Sequence, residues 1–86
     1  MVITTQAVAE KIDAYLNHRV TLPQLVDWAE NAFMDGEFEA QHSAALTSVV
    51  SRLGVADVRA FGLTWEDCEG MLKELGFAAR VSIQPA

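Results

Sequence analysis

Val20-Thr21-Leu22-Pro23-Gln24-Leu25-Val26-Asp27-Trp28-Ala29-Glu30-Asn31-Ala32-Phe33-Met34-Asp35-Gly36 carries its own start signal, apolar face and stop. Thr21 followed three residues later by Gln24 is a capping-box pair, in which each side chain satisfies a backbone N–H orphaned at a helix start. Val20 and Leu25 hold the two positions of a hydrophobic staple, and Pro23 lies in the first turn, where it removes no needed hydrogen bond. Leu22, Leu25, Val26, Ala29, Ala32 and Phe33 fall on one stripe at helical spacing, and Gly36 suits the left-handed backbone that ends a helix. The spacing predicts a helix over about 22–34 with one face to bury.

The sequence on either side supplies elements to bury it against. Upstream, Val8, Ile12, Tyr15 and Leu16 recur at helical spacing behind a Thr4 N-cap, with Ile3 placed to staple onto Val8, which gives a helix over about 5–17. Asn17-His18-Arg19 interrupts the pattern. Downstream, Phe38, Ala45, Leu46, Val49 and Leu53 share one side of a third helix, about 38–53, stopped by Gly54. Val55 to Leu63 suits no single period and reads as irregular.

Thr64 caps a fourth helix, about 65–75, with Asp67 three positions on and Glu66 beside it, where the helix dipole favours negative charge. Trp65, Cys68, Leu72 and Leu75 form its apolar side. Gly76 fits the left-handed position of a Schellman ending, with Phe77 reaching back to Leu72. Beyond it Phe77, Ala79, Val81 and Ile83 alternate with Ala78, Arg80, Ser82 and Gln84, the pattern of a half-buried strand over about 78–83, ended by Pro85. That strand needs a partner: Val2 to Thr4, Val58 to Phe61, or the same segment of a second subunit, which would make a homodimer. The fold class expected is mainly α, a single domain over 1–86 built as a compact bundle of four short helices with a short C-terminal β-strand.

The totals agree with one core. The 86 residues are 51% apolar and 21% charged, too rich in Val, Leu, Ile and Phe for a disordered chain. A domain of this size is stable by about 4 to 13 kcal/mol. The lone Cys68 excludes an internal disulfide and points to a reducing compartment, the cytoplasm. The start lacks a signal-peptide pattern, and no apolar run approaches the ~20 residues of a membrane span. A net charge of −6 repels nucleic acid and anionic lipid, so neither nucleic acid nor membrane is an expected partner.

No residue pattern points to catalysis. Thiolate chemistry at Cys68 needs an adjacent His18 or His42, yet Cys68 occupies the middle of an apolar stripe, where cysteine acts as a small hydrophobe. His42 projects toward the apolar side of helix three, and His18 lies at a helix junction; neither belongs to a metal-ligand spacing. Asn31, Phe33, Asp35 and Gly36 are placed like part of a calcium loop, but Phe33 stands at a ligand position and His42 replaces the closing glutamate. Phosphate-cradling glycine motifs are missing, and four short helices leave little volume in which to desolvate a carboxyl. The reading is non-enzymatic, with no catalytic, cofactor-binding or metal residue and no cofactor.

One feature departs from an even surface. Asp27, Glu30, Asp35, Glu37 and Glu39 form a run of acids with no Lys or Arg between Arg19 and Arg52. On a helical wheel Met34 lies outside the core stripe among Asp27 and Glu30, and Trp28 lies at the stripe's edge toward Asp35. Large apolar side chains beside charge are the composition of protein-binding surfaces, so Asp27, Trp28, Glu30, Met34, Asp35, Glu37 and Glu39 are the candidate partner-binding residues. The partner expected is another protein, a basic one; solubility alone explains the same charge as well.

Ala14-Tyr15-Leu16-Asn17 followed by Leu25-Val26-Asp27-Trp28-Ala29 resembles a pattern in small bacterial helical proteins, some of which look like immunity partners of secreted toxins. The similarity covers helices one and two and consists of helix-loop-helix pattern residues, with no binding residue to carry over. It implies a small acidic protein that binds and blocks a toxin domain, many such toxins being basic nucleases. A structural or regulatory subunit that dimerises through Arg80 to Gln84 is the alternative.

Overall fold

The computed structural model describes residues 2–57 and 63–77. In chain order these form β1 (Val2–Ile3), α1 (Thr5–Leu16), α2 (Leu22–Asp35), β2 (Glu37–Phe38), a single 3-10 turn (Ala40–His42), α3 (Ser43–Leu53) and α4 (Trp65–Glu74). The protein is mainly α. α3 lies along α2, α1 touches each of the other three helices, and α4 closes against α1 and α3. Among the described residues no helix is long and apolar enough to cross a membrane.

The start of α2 is built as its residues dictate. The Thr21 hydroxyl accepts the Gln24 N–H at 3.3 Å, and the Gln24 side chain accepts the Thr21 N–H at 2.8 Å. α4 repeats the device: the Thr64 hydroxyl accepts the Asp67 N–H at 3.1 Å while the Asp67 carboxylate accepts the Thr64 N–H at 3.0 Å. Its end is a full Schellman motif. Gly76 sits at φ 94°, Phe77 N–H donates to the Leu72 carbonyl at 2.8 Å, and Gly76 N–H donates to that of Lys73 at 3.0 Å.

α1 ends in the same motif with a residue that pays a steric cost. His18 takes the left-handed backbone at φ 60°, Arg19 N–H donates to the Ala14 carbonyl at 2.8 Å and His18 N–H to that of Tyr15 at 3.1 Å. A side-chain-bearing residue in that conformation is strained by roughly 1–2 kcal/mol, whereas glycine is not. His18→Gly should therefore raise stability by about 1 kcal/mol after the glycine's extra unfolded-state entropy is deducted. Urea unfolding checks this: the midpoint should rise at constant slope, and an unchanged or lower midpoint would mean that the imidazole makes a compensating contact.

The third helix begins later than its periodicity suggests. The expected start at Phe38 is replaced by Ser43, because Phe38 is used as a strand residue. β2 runs parallel to β1 with Val2 opposite Glu37 and Ile3 opposite Phe38, and Glu39 N–H donates to the Ile3 carbonyl at 3.0 Å. Gly36 also differs from expectation. It is extended at φ −89° and ψ 158°, not left-handed, since the chain must run straight from α2 into β2. What requires glycine there is space: a Cβ would lie 2.6 Å from the Ala32 carbonyl oxygen and 2.7 Å from Ile3 Cγ1.

The core is apolar throughout, with no buried polar or charged side chain among the described residues. Ile3, Ile12, Leu25, Leu46, Leu53 and Cys68 are among its fully buried members, which come from β1 and all four helices. Phe33, expected in that core, is half exposed: it lies in the last turn of α2 and meets Phe38 edge-to-face at 6.0 Å. His42 is likewise exposed on the 3-10 turn and not turned into the core, because α3 starts only after it. The strand expected over 78–83, Val58 and Phe61 lie outside the described residues.

Candidate functional site

α2 presents its acids on more than one side. Asp27, Glu30 and Asp35 are exposed on the helix, Glu37 is exposed in β2, and Glu39 is half-buried before the 3-10 turn. Among the described residues the ion pairs are Arg19–Asp13 at 2.6 Å and Arg52–Asp67 at 3.4 Å, and neither involves these five carboxylates. Among the described residues no ion pair answers their charge.

Trp28 and Met34 belong to different surfaces. Trp28 is half-buried toward α1, where it lines a shallow depression of ≈ 260 Å³ with Val2, Ala7, Glu10 and Ala14. Lys11 Nζ stands 5.7 Å from the centroid of its ring, a cation–π contact that brings one basic residue beside the acidic sector from another helix. Met34 lies on the opposite flank and is 78% exposed. It borders a groove of ≈ 280 Å³ between α2 and α3, together with Glu30, Phe33, Val50, Gly54 and Val55. The structure therefore brings together Glu30 and Met34 and sets Trp28 apart.

Phe33 and Val55 are the groove residues that the sequence pattern missed. They are 50% and 38% exposed, large fractions for side chains that a folded domain would otherwise bury. No wheel position marks Phe33, which falls inside the stripe between Leu22 and Val26; its exposure, like that of Val55, depends on how α3 lies against α2.

A second depression, ≈ 400 Å³, is lined by Tyr15, His18, Val20, Thr21, Leu63 and Trp65 where α1 turns into α2 and α4 begins. The helix starts that face it are already capped by their own Thr21 and Thr64. Asp67 is held below its ordinary range by the Thr64 N–H, then by the Thr64 hydroxyl, with Arg52 adding to the effect.

Cys68 is fully buried, whereas His18 and His42 are exposed. Burial pushes its thiol up to about 11, and the neighbouring Asp67 charge adds to the rise, so the thiolate form needed for nucleophilic attack is suppressed at neutral pH. Among the described residues no three His, Cys, Asp or Glu side chains gather so as to hold a metal ion. No protein-family model, curated protein or solved structure matches the chain.

Proposed function

We propose that the chain is a cytoplasmic protein–protein interaction domain of the immunity or antitoxin type, which binds a basic partner through its acidic sector and blocks it. It acts by binding, not catalysis. The observation that carries this reading is the run Asp27, Glu30, Asp35, Glu37 and Glu39, none of which is ion-paired among the described residues, beside the exposed side chains of Phe33 and Met34. Uncompensated charge of one sign speeds encounter with the opposite sign and discriminates against acidic surfaces, while large apolar side chains supply the desolvated contact that holds a complex.

The test is titration of the purified chain against the products of its neighbouring genes, basic domains first. A 1:1 complex that inhibits the partner's activity and weakens with salt is expected. Asp35→Lys combined with Glu37→Lys should then reduce affinity at least about tenfold, or about 1.4 kcal/mol, with circular dichroism and Tm unchanged. Affinity indifferent to both salt and charge reversal would remove the acidic surface from the interface.

A further inference from the structure

Resting on the basic-partner reading, we propose that the α2–α3 groove receives an amphipathic helix of that partner, with an apolar side chain seated between Phe33 and Val55 and a lysine or arginine beside Glu30. The groove's ≈ 280 Å³ falls just under the ~300–1,000 Å³ of sites that enclose a small molecule. It suits one or two apolar side chains of a larger ligand. Its walls are helices whose backbone groups pair internally, so an extended segment seated there would leave its own N–H and C=O groups unpaired. A helix brings those groups already satisfied and offers side chains at the spacing of the groove.

Charge selects among possible helices. Glu30 stands on the lip, Asp27 lies one turn before it on the same flank, and residues 20–51 contain no Lys or Arg. A second copy of this chain docked symmetrically would set these acids against their own counterparts, which is repulsive. A basic helix answers them.

Gly54 lines the groove without placing a side chain in it. Its backbone is ordinary right-handed helix at φ −65° and ψ −16°, which any residue adopts. A Cβ there would make only normal contacts, 3.5 Å to the Val50 carbonyl oxygen, 3.6 Å to that of Ser51 and 3.9 Å to Glu30 Cγ. The fold does not need a glycine at this position, so a larger side chain can be placed there to fill the groove.

The experiment titrates the isotope-labelled chain with a synthetic helix of about five turns that carries a leucine stripe and otherwise lysine, followed by NMR. Two controls are a scrambled isomer without the stripe and a version with glutamate in place of lysine. Saturable binding of the striped basic peptide is expected, with amide shifts concentrated at Phe33, Met34, Gly54 and Val55, and little binding of either control. Gly54→Leu should weaken it at least about tenfold with Tm maintained; Met34→Asp, on a side chain 78% exposed, is the second variant should the first disturb folding.

If Asp27→Lys with Glu30→Lys weakens the peptide but neither Gly54→Leu nor Met34→Asp does, the groove is overturned and the acidic surface stands. Equal binding of the scrambled isomer has the same meaning. Absence of binding by any peptide overturns the groove, while the acidic surface is then decided by the salt and charge-reversal titration of the whole partner, and self-association that Gly54→Leu abolishes would assign the groove to a second copy instead.

Discussion

Gly36→Ala should destabilise the domain by about 3 kcal/mol, a large share of the about 4 to 13 kcal/mol that holds a chain of this length together. The backbone at this position would accept alanine, so the cost is one of volume. The added Cβ falls 2.6 Å from the Ala32 carbonyl oxygen, a backbone atom in the last turn of α2, and 2.7 Å from Ile3 Cγ1 in β1. Relief requires either unwinding that turn, with loss of the Gly36 N–H bond to Ala32 at 3.0 Å, or moving β1 away from β2. Ile3 is 2% exposed, so the second course also opens the core. Urea unfolding of Gly36→Ala, Ile3→Ala and the double variant tests the cause. Ile3→Ala alone should cost about 2–4 kcal/mol, and the pair should fall short of the sum by about 1 kcal/mol, because removing Ile3 Cγ1 relieves one of the two clashes. Strict additivity would show that Ile3 is not what the new Cβ meets.

The same corner marks the limit of what local pattern reveals. The caps of α2 and α4 and the Gly76 ending are encoded within four or five consecutive residues, so Thr21, Gln24, Thr64, Asp67 and Gly76 take the roles their types announce. β1 and β2 are two residues each and lie far apart in the chain, and nothing in Val2-Ile3 or Glu37-Phe38 announces the other. Phe38 thus fits a helical stripe on paper and serves a strand in fact. His18 is hidden for a different reason: a helix ending sought by its glycine is missed when histidine occupies the left-handed position.

The candidate surface divides along the same line. Its acids fall close together in a stretch without Lys or Arg and so are visible as a run, but the sides they occupy depend on which face of α2 meets α1 and which meets α3. Trp28 turns to α1 and gains Lys11, while Met34 turns to the α3 side and joins Phe33 and Val55. A groove made by two helices has no counterpart in the pattern of either one.

Cys68 yields the second large effect, a loss of stability in alkaline solution. Fully buried, its thiol is held protonated up to about 11, against 9.0 for the ordinary group, chiefly because an anion there would lose its hydration and secondarily because Asp67 repels it. The folded pKa is raised, so the contribution is fully present below about pH 9 and is lost as pH climbs toward and through about 11, where the unfolded chain has released a proton that the folded chain retains. Complete loss amounts to roughly 3 kcal/mol. Cys68→Ala should lower stability by about 1 kcal/mol at pH 7 through the lost packing volume and should flatten the alkaline profile. Every other ionisable group is common to both proteins, so the difference between the two urea-unfolding series isolates the thiol. Parallel profiles from pH 7 to 11 would mean that the site admits a thiolate after all, and the same protein should then react rapidly with a thiol reagent without unfolding. The expected behaviour is the reverse, with reaction gated by opening of α4 away from α1 and α3, the helices against which it packs.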